Sequence, residues 1–182
     1  FMVRIKAFKP YILKEDQADI VSLPYDVFTY VSAQKEIAGK PEHFLRIDKP
    51  EVNALRTSSS NMKAASKLYK RNLKIHYHKE VVPSLYRYDL ITETHHQKGL
   101  VALCSLEDLF EHHIRDHEET RKDKELERTR HIKSLNAQTG PIYLFHHNQA
   151  ELRSLIESSC HDLVLEFEQN NVQHQIYALQ DP

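Results

Sequence analysis

The densest group of side chains suited to acid–base or phosphate chemistry lies between residues 111 and 133. His117 stands next to Glu118 there, and a histidine–glutamate pair that lines a pocket can act in general acid–base catalysis. Histidine titrates near neutral pH, and burial can tune a glutamate toward that range. If the chain is helical from Thr120 onward, four nitrogen-bearing side chains share one helix face: Arg121, Lys124, Arg128 and His131.

A cationic face that begins near a helix N-terminus is suited to binding phosphate. The unpaired backbone N–H groups of the first turn and the helix dipole both attract an anion there. The alternative is a solvated helix with ion pairs at i,i+3 and i,i+4 spacing, such as Glu118–Lys122 and Glu125–Arg128. Spacing alone favours this alternative, because the segment contains seven basic and seven acidic residues.

The histidines outside this face predict no metal site. His113 and His117 have the i,i+4 spacing of a ligand pair on a helix, yet the His-Glu-x-x-His zinc motif is absent. Adjacent histidines, such as His95 and His96, project in different directions on a helix or a strand and therefore chelate poorly. We accordingly assign no metal ligand from the sequence.

Composition argues against several classes of protein. Three glycines cannot build a glycine-rich nucleotide-binding loop, so phosphate must be bound by side chains or helix ends. The formal net charge of -1 argues against a nucleic-acid partner. No apolar run approaches the roughly 20 residues of a membrane span, so no membrane partner is expected. Cys104 and Cys160 form no motif and are expected to be free thiols in a reducing cytoplasm.

Hairpins and helices must position these residues. The clearest pattern predicts two hairpins, Ser84–Ile91 with Gly99–Cys104, and Leu163–Glu168 with Val172–Leu179 around Asn170-Asn171. Four more strands are predicted: Val3–Phe8, Asp19–Leu23, His43–Ile47 and Ile142–Phe145. Four helices are predicted: Ser32–Ala38, Asn61–Asn72, Thr120–Leu135 and Asn148–Ser159.

This order of elements predicts an α+β fold with a mixed, largely antiparallel sheet, hairpins and several flanking helices. The length of 182 residues predicts a single domain over residues 2–182. Phe1 is expected to be an addition ahead of a natural start at Met2. The final strand has no closing element after it, so we expect the chain to be the N-terminal portion of a longer protein.

Residues 115–131 closely resemble the central signature of a bacterial and archaeal family known as domain of unknown function 1015. Three other segments resemble motifs of that family in the same order: Leu23-Pro24-Tyr25-Asp26-Val27, Phe44-Leu45-Arg46-Ile47 and Pro83-Ser84-Leu85-Tyr86-Arg87-Tyr88. The first segment departs from the family's Pro-Pro-Tyr-Asp-Val pattern at Leu23. The resemblance covers nearly the whole chain.

The resemblance implies a site that is completed beyond Pro182. Members of that family are usually longer, and their later part carries an Asp-Gly-His-His-Arg motif. That motif is similar to one in the ParB/sulfiredoxin-like superfamily, which includes nucleotide-hydrolysing proteins and a free-serine kinase. By this resemblance, six residues contribute to the half of the site within this chain: His117, Glu118, Thr120, Arg128, Tyr25 and Asp26.

The leading hypothesis is a cytoplasmic enzyme that binds a nucleotide or a phosphorylated small molecule. It would be a phosphotransferase or a phosphohydrolase. The sequence does not identify its cofactors, for which Mg²⁺ and ATP or ADP are the candidates. Glu118 is the expected general base or metal-associated carboxylate, His117 orients or shuttles a proton, and Thr120 caps the helix and donates to a phosphate. Three cations neutralise the phosphate: Arg121, Lys124 and Arg128. The second hypothesis is a non-catalytic metabolite-binding or regulatory module.

Overall fold

The computed structural model of the protein describes four stretches of the chain: residues 3–14, 19–115, 120–159 and 161–179. The chain divides into two compact units. The first unit comprises residues 1–16, 77–118 and 145–182, and the second comprises residues 17–76 and 119–144. Because the chain passes four times from one unit to the other, no single change in composition along the sequence marks a boundary.

The fold is α+β, as predicted. The described residues form eight strands: β1 (Ile5–Lys6), β2 (Tyr11–Leu13), β3 (Tyr77–Lys79), β4 (Leu85–Ile91), β5 (His96–Val101), β6 (Leu103–Cys104), β7 (His161–Gln169) and β8 (Val172–Leu179). They also form six α-helices: α1 (Tyr30–Glu36), α2 (Leu45–Asp48), α3 (Ser58–Ile75), α4 (Leu106–Phe110), α5 (Lys122–Leu135) and α6 (Ala150–Ser158).

The first unit is built on a four-stranded antiparallel sheet in the order β5-β4-β8-β7. Both predicted hairpins are confirmed, since β4 pairs with β5 and β7 pairs with β8. Asn170 and Asn171 connect β7 to β8 with φ values of 54° and 61°. Asparagine tolerates this left-handed region better than most residues, and positive φ at both central positions suits the twist of a two-residue hairpin.

Two short antiparallel ribbons complete the strands of this unit. β1 pairs with β6, and β2 pairs with β3. The apolar run Gly99–Cys104 is therefore divided, because Val101 ends β5 and Leu103 pairs with Lys6 of β1. The buried apolar residues of the unit include Ile12, Leu13 and Tyr86.

The second unit is helical and has its own apolar core. Ala33, Ile37, Leu45 and Val52 are buried together, and the rings of Tyr25 and Phe28 pack against them. Thr57 begins α3 by accepting a hydrogen bond from the backbone N–H of Ser60 over 3.1 Å. The helix therefore starts three residues before the predicted Asn61, and Ser58, Ser59 and Ser60 belong to its first turn.

Two predicted strands of the second unit are wrong. Asp19–Leu23 has no regular structure, and the segment predicted as the strand His43–Ile47 instead leads into the helix α2. Leu45 and Ile47 are both fully buried, because α3 and the 3₁₀ turn Pro50–Asn53 pack around this short helix. Burial at alternate positions therefore occurs here in a helix, although the same pattern is typical of a strand.

The predicted buried strand Ile142–Phe145 is also wrong. This segment lies outside every strand of the described residues, and its ends are exposed, Ile142 by 80% and Phe145 by 84%. An apolar run becomes a buried strand only when a neighbouring strand supplies its hydrogen bonds. No helix in the described part of the chain has the length and apolar character needed to cross a membrane.

Candidate functional site

Tyr25 is held at the margin of the helical core by a short turn. It opens the 3₁₀ turn Tyr25–Val27 directly after Pro24. The backbone N–H of Val27 donates to the carbonyl oxygen of Pro24 over 3.2 Å, which closes the turn. The ring is half-buried and packs against the apolar core of the second unit.

Hydrogen bonds attach the second half of α5 to the same helical core. His131 is buried, and its Nε2 donates to the carbonyl oxygen of Ile47 over 2.8 Å. The hydroxyl of Ser66 on α3 donates to the carbonyl oxygen of Ser134 over 3.2 Å. Arg128 lies three residues before His131 and therefore faces the same side of the helix.

Arg128 joins α5 to the end of α2 and to Tyr25. Its Nη1 donates to the carbonyl oxygen of Asp48 over 3.1 Å, and its Nη2 donates to Asp48 Oδ1 over 3.0 Å. The hydroxyl of Thr139 donates to the same Oδ1 over 2.8 Å. The guanidinium carbon lies 4.4 Å from the centre of the Tyr25 ring, which is a cation–π contact.

Two lysines extend this group of charges. Lys49 Nζ lies 5.9 Å from the centre of the Tyr25 ring. The pKa of Lys124 is raised, chiefly by its hydrogen bond to Glu127 and by the Glu127 charge, with a smaller contribution from Tyr25. We call the following six residues the Tyr25 cluster: Tyr25, Asp48, Lys49, Lys124, Arg128 and Thr139.

The structure thus brings together two of the predicted phosphate-binding residues, Tyr25 and Arg128, and a third, Lys124, lies one turn before Arg128 on α5. Arg121 is exposed and pairs with Asp123, with Nη2 at 2.8 Å from Oδ2. This hydrogen bond is the main reason why the pKa of Asp123 is lowered. Within the described residues, Asp26 is exposed and has no hydrogen bond or ion pair.

Thr120 does not cap α5, contrary to the sequence-based expectation. The helix begins at Lys122, and Arg121 occupies the N-cap position without a side-chain hydrogen bond. The predicted cationic face is also shorter than expected, because His131 at its end is buried in the core. Arg128 does not pair with Glu125, since its guanidinium is turned toward Asp48. Ion pairs within the helix still occur, as the alternative interpretation expects, between Lys124 and Glu127.

His117 and Glu118 lie outside the described residues. Their catalytic assignments, and the predicted pair of Glu118 with Lys122, therefore stay predictions.

Three residues of the Tyr25 cluster were not singled out from the sequence: Asp48, Lys49 and Thr139. The segment before Asp48 was predicted as a strand, which gives no reason to place its carboxylate beside α5. The useful signal was the position of Pro41 and Pro50 on either side of an eight-residue segment with the carboxylate of Asp48 near its end. Proline is common at helix starts and just beyond helix ends, so this spacing is compatible with a one-turn helix.

A second group of polar residues, in the first unit, contains the residue types that bind metal ions. Ligand atoms of Asp108, Glu111 and His113 lie within 4.8 Å of one another. However, Arg4 donates to both carboxylate oxygens of Asp108, from its backbone N–H at 2.7 Å and from Nη2 at 2.8 Å. These bonds help lower the pKa of Asp108 from 3.8 to about 2. A cation would have to displace this guanidinium, so the group does not fit a metal ion.

Comparisons with known proteins agree with the sequence motifs. Searches of curated proteins and of solved structures found no match. The model of a family described as "protein of unknown function (DUF1015)" matches residues 5–182, which is nearly the entire chain. The central signature, the Tyr25 turn and the β4 segment all lie inside the matched range. The chain therefore belongs to the DUF1015 family.

Proposed function

We propose that the Tyr25 cluster binds the phosphate group of a nucleotide or of another phosphorylated small molecule. The observation that carries the proposal is the placement of two cations, Lys49 and Arg128, over one aromatic ring, with Lys124 one helical turn before Arg128 on α5. The aromatic face orders the guanidinium, and positioned cations are the main device by which proteins stabilise phosphoryl groups.

Arg128 is the preorganised member of the cluster. A guanidinium has five N–H groups. In the part of the chain that the structure describes, Arg128 uses two of them in bonds to Asp48 and one in a bond to Thr139. The remaining two can donate to a phosphate oxygen without breaking the contacts that hold α5. Arginine in a fixed orientation loses little side-chain entropy when it binds an anion.

The two lysines are the adjustable members. Lys49 pairs with Glu51 over 3.4 Å, and Lys124 pairs with Glu127 over 3.0 Å. The two glutamates are about half exposed, and such surface ion pairs contribute only about 0–1 kcal/mol. A phosphate that carries more than one negative charge can therefore compete with these carboxylates for the ammonium groups.

The reaction proposed for the full site is phosphoryl transfer or phosphate-ester hydrolysis, with Mg²⁺ and ATP or ADP. Glu118 acts as the general base or metal-associated carboxylate, and His117 positions or shuttles the proton. The sequence order supports this assignment, because both residues lie within five positions of Lys122, where α5 begins. The resemblance of the family's later motif to the ParB/sulfiredoxin-like superfamily, which includes a kinase, implies the same reaction class by analogy alone.

A non-catalytic sensor is the second candidate, and one observation favours it. Arg128 simultaneously contacts the end of α2 and Tyr25, so it holds α5 on the helical core. A ligand that competes for this guanidinium would change how α5 is held. Coupling of this kind is what a metabolite-sensing module requires.

Calorimetric titration of the protein with ATP, ADP and phosphoserine, each with and without Mg²⁺, tests the proposal. At least one ligand should bind. The double substitution Lys49→Ala and Lys124→Ala should weaken binding about tenfold or more, because charge-assisted hydrogen bonds contribute about 1.5–3 kcal/mol each. The matched control is Lys122→Ala with Lys133→Ala, two exposed lysines of α5. Equal affinities for the two double variants would contradict the proposal.

Phosphorus NMR of the bound mixtures separates the two candidates. An enzyme will convert ATP or phosphoserine over time, and Glu118→Gln will stop this conversion while leaving the calorimetric affinity within about threefold. A sensor will bind its ligand and leave every phosphorus resonance unchanged. The second result, on protein shown to bind, would exclude the reaction.

A further inference from the structure

The formal net charge of the chain conceals two units of opposite charge. The helical second unit contains 16 basic and 10 acidic residues, which is a formal charge of +6. The first unit contains 9 basic and 16 acidic residues, which is a formal charge of -7. The net charge of the whole chain therefore does not indicate which partners either unit binds.

α3 concentrates the positive charge of the second unit. This 18-residue helix has no acidic residue. Its five basic residues form what we call the α3 basic face: Lys63, Lys67, Lys70, Arg71 and Lys74. At about 100° per residue they lie within an arc of about 100°, and at about 1.5 Å per residue they extend for about 17 Å.

The α3 basic face points away from the core. Asn61, Ala65 and Asn72, on the other side of the helix, are buried, and α3 packs there against α2, α5 and the turn Pro50–Asn53. All five basic residues are exposed. Most of them line a shallow groove of about 340 Å³ on the surface of the helix.

Most of this charge is not neutralised locally. Arg71 pairs with Glu42 over 2.8 Å. Among the residues that the structure describes, Lys63, Lys67 and Lys70 form neither a hydrogen bond nor an ion pair. Like charges on one helix face repel one another, so the face is more stable when an anion covers it.

We propose that the α3 basic face binds the phosphodiester backbone of a nucleic acid, independently of base sequence. The narrow row of point charges suits a linear polyanion, because lysine contacts phosphates without selecting a base. The face presents no aromatic ring on which bases could stack and no exposed amide that could read base edges. The recognition chemistry is therefore that of phosphates.

Two other classes of polyanion fit the face less well. Protein interfaces are depleted in lysine and depend on aromatic and apolar anchors, whereas the only apolar side chain in the groove is Ile75. Stable membrane association requires an apolar or lipid anchor in addition to basic residues, and the apolar side of α3 is packed inside the unit. The net charge of the whole chain argued against a nucleic-acid partner. That argument does not apply to the second unit, whose formal charge is +6.

Fluorescence anisotropy with a labelled duplex of mixed sequence tests the proposal on the full chain. With about four phosphate contacts, the slope of log K against log salt concentration should be about -3 to -4. The variant Lys63→Gln, Lys67→Gln, Lys70→Gln, Lys74→Gln should bind at least about tenfold more weakly and show a slope of about -1 or shallower. Scrambling the duplex sequence should leave the affinity unchanged.

The matched control removes four exposed lysines elsewhere, at positions 6, 9, 35 and 133, and should retain both the affinity and the slope. Circular dichroism should show that both variants keep the helical content. Equal losses in the two variants would overturn the proposal, as would the absence of duplex binding. Equal competition by poly-glutamate would indicate an acidic protein, and binding only to phosphatidylserine vesicles would indicate a membrane, so either result also overturns it.

Discussion

The guanidinium of Arg128 stacks on Tyr25 at 4.4 Å while it donates two hydrogen bonds to Asp48. One side chain therefore connects the helix α5, the end of α2 and the turn that carries Tyr25. Because the same group is proposed to bind phosphate, its substitution should affect both the stability of the second unit and ligand affinity.

Arg128→Lys is expected to lower the free energy of unfolding by about 1–3 kcal/mol. A lysine cannot stack on Tyr25 and donate to two atoms of Asp48 at the same time. Urea unfolding followed by circular dichroism measures the change. Arg130→Lys is the control, because Arg130 is exposed on the same helix, and it should change stability by less than about 0.5 kcal/mol. Equal effects of the two substitutions would show that the Arg128 contacts do not stabilise the fold.

Asp48→Asn is expected to change stability and affinity in opposite directions. The amide keeps an acceptor for Thr139 and loses the negative charge that faces Arg128. Unfolding should become easier by about 1–2 kcal/mol, while ATP or phosphoserine binds several times more tightly. Glu125→Gln, which removes one exposed charge from α5, should alter both quantities less. Weaker ligand binding by Asp48→Asn would show that the phosphate does not occupy the Tyr25 cluster.

Acid should destabilise the first unit through Asp108. Bonds from Arg4 lower the pKa of this carboxyl from 3.8 in the unfolded chain to about 2 in the folded chain. The ionised form is therefore favoured by folding, and its stabilising effect is complete above about pH 4 and lost as the pH falls toward 2. Thermal unfolding between pH 2 and 5 should show a smaller pH dependence for Asp108→Asn than for the original protein. The exposed Asp19→Asn is the control, and the same reduction there would refute the assignment.

The stability of the turn between β7 and β8 should depend on whether the residue at position 171 can adopt a positive φ, and not on its side chain. Asn171 has a φ of 61°, which glycine adopts without strain and alanine does not. Asn171→Ala is expected to lower the free energy of unfolding by about 1–2 kcal/mol, and Asn171→Gly to leave it equal or higher. Thermal and urea unfolding give the comparison. A loss of stability with glycine as large as that with alanine would mean that the asparagine side chain, and not its backbone conformation, supports the hairpin.

The hairpins could be predicted because the residues that specify each of them are close together in the sequence. Alternating apolar residues and the Asn170-Asn171 pair specify both the strands and the turn within about 20 residues. The segments His43–Ile47 and Ile142–Phe145 carry similar apolar patterns, yet neither became a strand. Whether a short apolar segment pairs in a sheet depends on distant residues that reach it, which a local pattern does not contain.

The candidate site was predictable in part for the same reason. Tyr25 and Arg128 lie in sequence motifs, and the structure brings them together. Asp48 lies at the end of α2 and precedes Arg128 by 80 residues along the chain. The packing of the helices brings the two residues together. The cap expected at Thr120 failed because the first helical residue is Lys122, and helix ends depend on small differences in local hydrogen bonding.

The division of each unit among separate stretches also sets an order for folding during synthesis. Every residue of the helical unit has been made by residue 144, whereas β8, which lies between β4 and β7, is completed only at Leu179. At about 5–20 residues per second, the β4–β5 hairpin has an unpaired edge for about 4–16 seconds, and other chains or chaperones can bind that edge. The β4 edge of the first unit is thus exposed throughout the synthesis of the second half of the helical unit and of β7.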